Sequence, residues 1–533
     1  MQPYRLTVDK FLDHAAKWFG DREIVEADAG RVVVRTTYAE LRERSNRLSG
    51  ALTALELELG DRVGTLAWNT RHHLEVYYAA MGVGMVCHTL NPRQTAGHLA
   101  LMINEAEDGV LAVAASLMPL AHQLLPLCPT IRQIIVLDEP PSAATARDGV
   151  PVWPIETLLA EKGAPVIWGA FDEETPAGLC YTSGTTGKPK GVLYTHRSNY
   201  LHTLRALQAD ATALTARDTL LVAVPMFHAN GWGLPFEAPA VGAKLVLPGR
   251  HTDGASLTQL LRDEGVTIAV GVHTVWIGVV DQLDREGGEL PLLERVLIGG
   301  STCPDAVIRR MEERLGAEVQ TSWGMTELSP MGTLAPPGER RGETSHSGRP
   351  AMGLDLKLTD AEGVTLSPQR GVVGHLRVKG PAVVDRYFKT TDDALDEEGY
   401  FDTGDLAMID ESGNLTICGR SKDLIKSGGE WINPTEIEAI IGRHPAVGAA
   451  AVIGRPDAKW GERPVLIVAA CQGHELDPQA LLSSLRGEIE DWWIPDEIAQ
   501  VPSMPLAATG KIDKNQLRAD YASGRIAGRP VGR

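Results

Sequence analysis

Apolar positions near the N-terminus fall at helical spacing: Phe11, Leu12, Ala15, Ala16 and Phe19 share one face, which predicts a core-facing helix. From Tyr38 to about residue 300 the pattern switches repeatedly. Helical periods alternate with short β-branched runs such as RVGTLAW at 62–68, QIIVL at 133–137 and KLVLP at 244–248. That alternation predicts parallel strands with crossover helices, an α/β architecture. Pro140–Pro151 and the segment 336–350 are punctuated by Pro, Gly, Ala and Ser and read as surface loops. Beyond them GHLRVKG at 374–380 and NLTICGR at 414–420 alternate like half-buried strands, so the character turns toward β. The last hundred or so residues read as a small α+β unit. In it Asn433 supplies an N-cap, Pro434 stands at N1 and Glu436 at N3, and Ile437, Ile440 and Ile441 form one face, with His444-Pro445 closing the helix. No internal repeat or heptad run is present.

A chain of 533 residues is too long for one core and is expected to divide into at least two domains. Its formal charge of −18 disfavours nonspecific attraction to nucleic acid or anionic lipid. A phosphate-bearing ligand must then be held locally, against the field of the whole molecule. The six cysteines are scattered without a CxxC pair, which argues against a disulfide framework or a cysteine-built metal site and fits a reducing cytoplasm. The N-terminus lacks a basic-then-apolar leader pattern. The most apolar later stretch, Val266–Val280, contains His273 and is too short to span a bilayer, so a soluble protein without an integral membrane segment is expected.

The strongest chemical signal is YTSGTTGKPKG at 181–191, with three glycines and four hydroxyl residues in eleven positions. Thr182, Ser183, Gly184, Thr185, Thr186 and Gly187 offer N–H and hydroxyl donors to an anion, and Lys188 and Lys190 add positive charge. The spacing is not that of a Walker A loop, and Pro189 would obstruct the helix that such a loop opens. Four further motifs follow in order: GGSTCP at 299–304; QTSWGMTE at 320–327; YFDTGDLA at 400–407 with GRSKDLIKSGGEWINPTEIE at 419–438; and ATGKIDKNQLR at 508–518. Trp323 presents a flat face on which adenine could stack, Thr326 can bond a phosphate, and Glu327 is a hard oxygen donor suited to Mg²⁺. Gly299 and Gly300 end the apolar run RVLIGG, where an open α/β sheet admits a ligand close to backbone.

Together these five motifs, from about residue 10 to 520, resemble the adenylate-forming acyl-CoA synthetases of the fatty-acid and methylthiopropionate type. The resemblance implies a large N-terminal adenylation domain at 1–420, built of doubly wound α/β subdomains plus a small β-barrel, and a mobile C-terminal α+β domain at 421–533. It implies an ATP- and Mg²⁺-dependent ligase that forms the CoA thioester of a medium-chain, aryl-alkanoic or methylthioalkanoic acid through an acyl-adenylate, releasing AMP and pyrophosphate. Lys511, Thr326, Glu327 and His228 are then the catalytic residues, with Glu327 and Thr185 toward the metal. The nucleotide would meet the 182–190 loop, Gly299, Gly300, Ser301, Ser322, Trp323, Gly324, Met325, Asp405 (toward the ribose) and Arg420. The acyl pocket would comprise His228, Asn230, Gly231, Trp232 (resembling a gating tryptophan), His273, Gly299 and Met331. Lys422 falls at the pivot, and Ser427, Gly428, Gly429, Glu430 and Trp431 would line the CoA passage after rotation. Two positions depart from the family pattern: Ala507 and Ala508 replace hydroxyl residues beside Lys511, and His273 stands where proline is common. The family's habit suggests a cytoplasmic homodimer. The rival readings are a stand-alone adenylation enzyme loading a carrier protein, a luciferase-like oxygenase and a nonenzymatic nucleotide-binding regulator.

Overall fold

The computed structural model describes residues 1–138, 145–147, 149–182, 189–301, 303–339, 346–471, 473–506 and 512–530. Two large sheets dominate the first 350 residues. In one of nine described strands, Glu318–Gly324, Arg295–Ile298, Ile268–Gly271, Thr219–Val222, Lys244–Leu247 and Glu23–Asp28 lie side by side and parallel, and antiparallel strands flank the block. The other has eight strands, with Val86–Thr89, Arg62–Leu66, Val110–Val113 and Gln133–Val136 as its parallel centre. The parallel strands Arg62–Leu66, Thr219–Val222, Ile268–Gly271 and Arg295–Ile298 are short, mostly apolar and largely buried, as a sheet covered by helices on both sides requires.

A shared helical layer joins the two sheets. Val63 and Cys87 of one, Leu220 and Val270 of the other, and Tyr77 and Phe236 of the intervening helices belong to one buried cluster. The helix Arg71–Gly82 is buried from His72 to its end, the property of a helix enclosed on all sides. The expected N-terminal helix is Asp9–Trp18, with Phe11, Leu12 and Ala15 buried, while Phe19 caps it and lies against Gly242. Val266–Val280 resolves into the strand Ile268–Gly271 and the start of the helix His273–Glu286, so its apolarity reflects a buried strand followed by a buried helix face. The loop expected at 140–151 carries a small hairpin instead, Thr145–Arg147 pairing with Val150–Pro154.

The β-rich unit that follows is an open antiparallel sheet of four described strands, Asp355–Thr359, Val373–Lys379, Phe401–Ile409 and Leu415–Arg420, rather than the expected barrel. Its core reaches back to Tyr194 and Trp323 of the larger sheets. The 3₁₀ turn Ser421–Asp423 follows, and the last sheet begins at Ile425. In that α+β unit the helix Pro434–Ile441 has the predicted cap: Asn433 Oδ1 accepts from the Thr435 N–H at 3.1 Å and its Nδ2 donates to Glu436 at 3.0 Å. No helix among the described residues is long and apolar enough to cross a membrane.

Candidate active site

Four adjacent parallel strands, Thr219–Val222, Ile268–Gly271, Arg295–Ile298 and Glu318–Gly324, deliver their carboxyl ends to one edge. The segments just beyond them line a cavity of about 610 Å³: His228 and Trp232, Val272, Gly300, and Met325 to Glu327. That edge is where open α/β sheets take ligands, because the loops diverge there and leave room. The hairpin of Pro176–Thr182 with Lys190–Thr195 adds Thr182 and Lys190, and the four-stranded sheet adds Thr403, Gly404 and Arg420.

The polar part of the cavity follows Ser322, Trp323, Gly324, Met325, Thr326 and Glu327. The Trp323 indole N–H donates to Asp405 Oδ2 at 2.9 Å, and Arg420 Nε meets Asp405 Oδ1 at 2.7 Å, across a register that pairs Asp405 with Arg420. Asp405 is therefore not part of the cavity surface: it stands behind it and fixes two residues that are. Glu327 is buried, and burial raises its carboxyl above the ordinary range, partly opposed by the Tyr387 hydroxyl and the charges of Arg420 and Lys190. Tyr387 donates to Glu327 Oε1 at 2.9 Å, and the Lys190 ammonium lies 4.7 Å from the Tyr387 ring. Tyr387 and His375, which both line the cavity, lie outside the five motifs, and the sequence reading missed them.

The apolar part is built from Val270, Val272, Leu297, Met331 and Leu334, with Trp232 across from them. Asn69 sets the approach to it. Its Nδ2 donates to the carbonyls of Val222 and Val224 at 2.9 and 2.7 Å, and its Oδ1 accepts from the Met226 N–H at 2.8 Å. The chain then passes through five consecutive residues of positive φ: Ala229 (43°), Asn230 (53°), Gly231 (60°), Trp232 (59°) and Gly233 (85°). This left-handed turn aims the indole at Gly299 and Gly300. A Cβ on Gly299 would collide with Ser322 Oγ and sit 3.2 Å from the Trp232 ring.

Several expected pocket residues lie elsewhere. Asn230 and Gly231 are buried beneath the turn and do not line the cavity; Asn230 faces Asn199, Cys180 and Gly178, and Gly231 faces Pro235. His273 is the first residue of its helix and engages Ser301 Oγ at 3.2 Å, while Val270 and Val272 occupy the wall it was expected to form. Gly299 and Ser301 likewise do not line the cavity; Gly300 does. Ser183, Gly184, Thr185, Thr186, Gly187, Lys188 and Lys511 lie outside the described residues. Lys422 lines the cavity from the turn between the last two sheets. Ser427 to Trp431 form a hairpin that lines no part of it: Ser427 is buried and accepts from Arg463 at 3.1 Å, and Trp431 is exposed beside Lys426. Four of the six cysteines are buried; Cys180, two residues before the cavity-lining Thr182, is pushed above its usual value by burial, as is Cys87.

The model of the AMP-binding enzyme family matches residues 12–388, and that of the AMP-binding enzyme C-terminal domain matches 436–511. The chain belongs to the AMP-binding enzyme family. Among curated relatives, this AMP-binding enzyme is 41% identical over 532 residues to 3-methylmercaptopropionyl-CoA ligase of Ruegeria lacuscaerulensis, covering 98% of both chains. It is also 41% identical to medium-chain-fatty-acid–CoA ligase of Ectopseudomonas oleovorans, covering 98% of this chain and 97% of the relative. Among solved structures, ATP-bound MatB from Rhodopseudomonas palustris superposes with a TM-score of 0.84 at 26% identity, covering 97% of this AMP-binding enzyme and 99% of that chain.

Proposed function

We propose that this chain couples a carboxylic acid to coenzyme A in two steps, through an acyl-adenylate. The observation that carries the reading is a single cavity lined on one side by Ser322–Glu327 and Arg420 and on the other by Val270, Leu297 and Leu334. A nucleotide and an apolar acid can meet there. The relatives named for 3-methylmercaptopropionate and for medium-chain fatty acids support an alkanoic or methylthioalkanoic substrate.

A carboxylate is a poor electrophile, so it is first activated. Its oxygen attacks the α-phosphate of ATP, the bond to the β-phosphate oxygen breaks, and pyrophosphate leaves. The transition state is mainly spread charge, so cations and N–H donors do the work without a covalent protein nucleophile. Lys190, Thr182 and Thr326, which line the cavity, would hold phosphate oxygens, with Ser183–Lys188 and Lys511 assigned there by motif alone. Trp323 offers its ring to adenine, held from behind by Asp405, and Arg420, tied to the same carboxylate and lining the cavity, is the group turned toward the ribose and phosphate. Glu327, a buried carboxylate with one oxygen bound to Tyr387, is the residue that would hold Mg²⁺, which would supply positive charge against the triphosphate. The CoA thiol then attacks the acyl carbon, expelling AMP. For that step the unit after Lys422 rotates, taking Lys511 away and bringing the Ser427–Trp431 hairpin to the site; the domain division is set at 420/421 on this reading.

A panel of alkanoic, methylthioalkanoic and aryl-alkanoic acids, assayed for pyrophosphate and then for thioester, tests the proposal. Pyrophosphate without thioester would favour a carrier-loading enzyme. Lys511→Ala should slow adenylation by roughly 10²–10³-fold while sparing thioester formation from supplied acyl-adenylate. Equal loss in both half-reactions would refute the rotation.

A further inference from the structure

One cavity residue fits neither half of this chemistry. Glu237 lies on the first turn of the helix Leu234–Val241, within the apolar run Leu-Pro-Phe-Glu-Ala-Pro-Ala. It lines the same cavity as Trp232, Leu234 and Leu334, and it is 1% exposed. Its Oε2 has no hydrogen-bond partner among the described residues. Thr212, which also lines the cavity, lies beside this carboxyl, its hydroxyl donating to the Ala206 carbonyl at 2.7 Å. Behind them Arg205, also buried, donates from Nη2 to the carbonyl of the cavity residue Met331, and its Nε and Nη1 find no partner among the described residues. His202 completes the group, its Nε2 accepting from the Met331 N–H at 3.1 Å.

A buried carboxyl oxygen without a partner is costly unless something supplies one. Trp232 in the left-handed turn and Glu237 on the helix that follows it line the same cavity, so an acid packed on the indole shares its cleft with a buried carboxyl. We propose that Glu237 is the specificity-determining residue at the distal end of the acyl cleft, and that the acid carries a hydroxyl group there. The proposal rests on the ligase reading above. A hydroxyl suits the site better than a charged group. A distal ammonium would face the Arg205 cation, and a distal carboxylate would meet a second carboxyl in a dry space. A hydroxyl can donate to Glu237 in either protonation state and can accept from it when the carboxyl is protonated. A site built to bond a substrate hydroxyl rejects the analogue that lacks it, because its own polar group is then left unpaired.

The experiment uses the full chain with matched pairs that exchange a terminal hydroxyl for methyl, from 4-hydroxybutanoate against pentanoate up to 8-hydroxyoctanoate against nonanoate. Pyrophosphate release gives kcat/KM for each, with wild type, Glu237→Gln and Glu237→Leu, and Tm is measured alongside. At the chain length that reaches Glu237, the hydroxy acid should exceed its methyl partner by roughly ten- to a hundredfold in wild type. Glu237→Gln should keep that order, and Glu237→Leu should abolish or reverse it while its Tm holds or rises. Methyl acids preferred at every length in wild type, or parallel loss of both acids in Glu237→Leu, would overturn the assignment. Activity with an unaltered ratio overturns the distal-hydroxyl proposal alone; no pyrophosphate with any acid overturns the ligase reading and the proposal with it.

Discussion

Trp232 is half-buried, with its ring against Gly299 and Gly300 at the entrance to an apolar cleft, so its removal alters a wall more than a core. Trp232→Ala should therefore lower kcat/KM for small acids that pack on the indole and leave or raise it for bulkier ones. A core role predicts instead a loss of roughly 3–5 kcal/mol in stability and parallel decline for every acid; thermal melts beside the acid panel separate the two. Glu237 gives a stability signature of its own. Burial pushes its carboxyl up to about 8 from 4.5, against smaller pulls from Thr212 and Arg205. The neutral form is thus favoured in the fold, and the contribution is fully present below pH 4.5 and lost as pH rises toward about 8, because the unfolded chain ionises first. The Tm advantage of Glu237→Gln over wild type should accordingly widen between pH 5 and 8, and a constant difference would contradict a buried neutral carboxyl. At this scale the sequence was informative for Trp323, Thr326, Glu327 and Lys190, since a dense motif carries them into the cavity together. It was silent on Tyr387 and His375, which reach the site from other strands and turns with no local pattern to mark them. Glu237 left a trace, a lone charge in an apolar helix, that went unread.

Among the elements, the turn 229–233 has the tightest coupling between backbone and chemistry. Gly231 holds φ at 60° in it, and a Cβ there would lie 3.2 Å from Pro235 and 3.4 Å from Met226 Cα. Gly231→Ala should cost about 1–2 kcal/mol from the left-handed conformation alone, and the adjustment should swing Trp232 and change the acid preference. A denaturant melt and the acid panel check both parts. Two glycines in Ala-Asn-Gly-Trp-Gly hint at a turn, but nothing in residue type announces positive φ at Ala229 and Trp232, where tertiary packing overrides local preference. The same limit explains the acyl pocket: the family resemblance of their segment puts Asn230 and Gly231 on its wall, and the left-handed path turns them inward. His273 begins its helix and points to Ser301, a placement fixed by where the preceding strand ends. By contrast, the parallel strands and the cap at Asn433 were legible, since periodicity and capping are written in adjacent residues.

Taken as a whole molecule, the chain passes from the four-stranded sheet to the last sheet through Ser421–Asp423, and Lys422 within that turn is also part of the cavity wall. On the rotation proposed above, a joint so placed would couple rearrangement of the last sheet to a change in the site. Lys422→Pro fixes φ and removes an N–H at the joint; adenylation should survive better than thioester formation, measured as separate half-reactions, and an untouched second step would move the hinge elsewhere. The thiols of the protein bear on that second step in another way. An acyl-adenylate acylates any thiolate it meets, so an enzyme that makes one beside its own cysteines risks modifying itself. Cys180 stands two residues from the cavity wall, yet it is enclosed, and burial keeps it and Cys87 as thiols, while Cys128 and Cys418 are pushed up to about 11. With these four sulfurs held as thiols, none of them competes with the incoming CoA thiol for the activated acyl group, and self-acylation at them is suppressed by the way the core is packed.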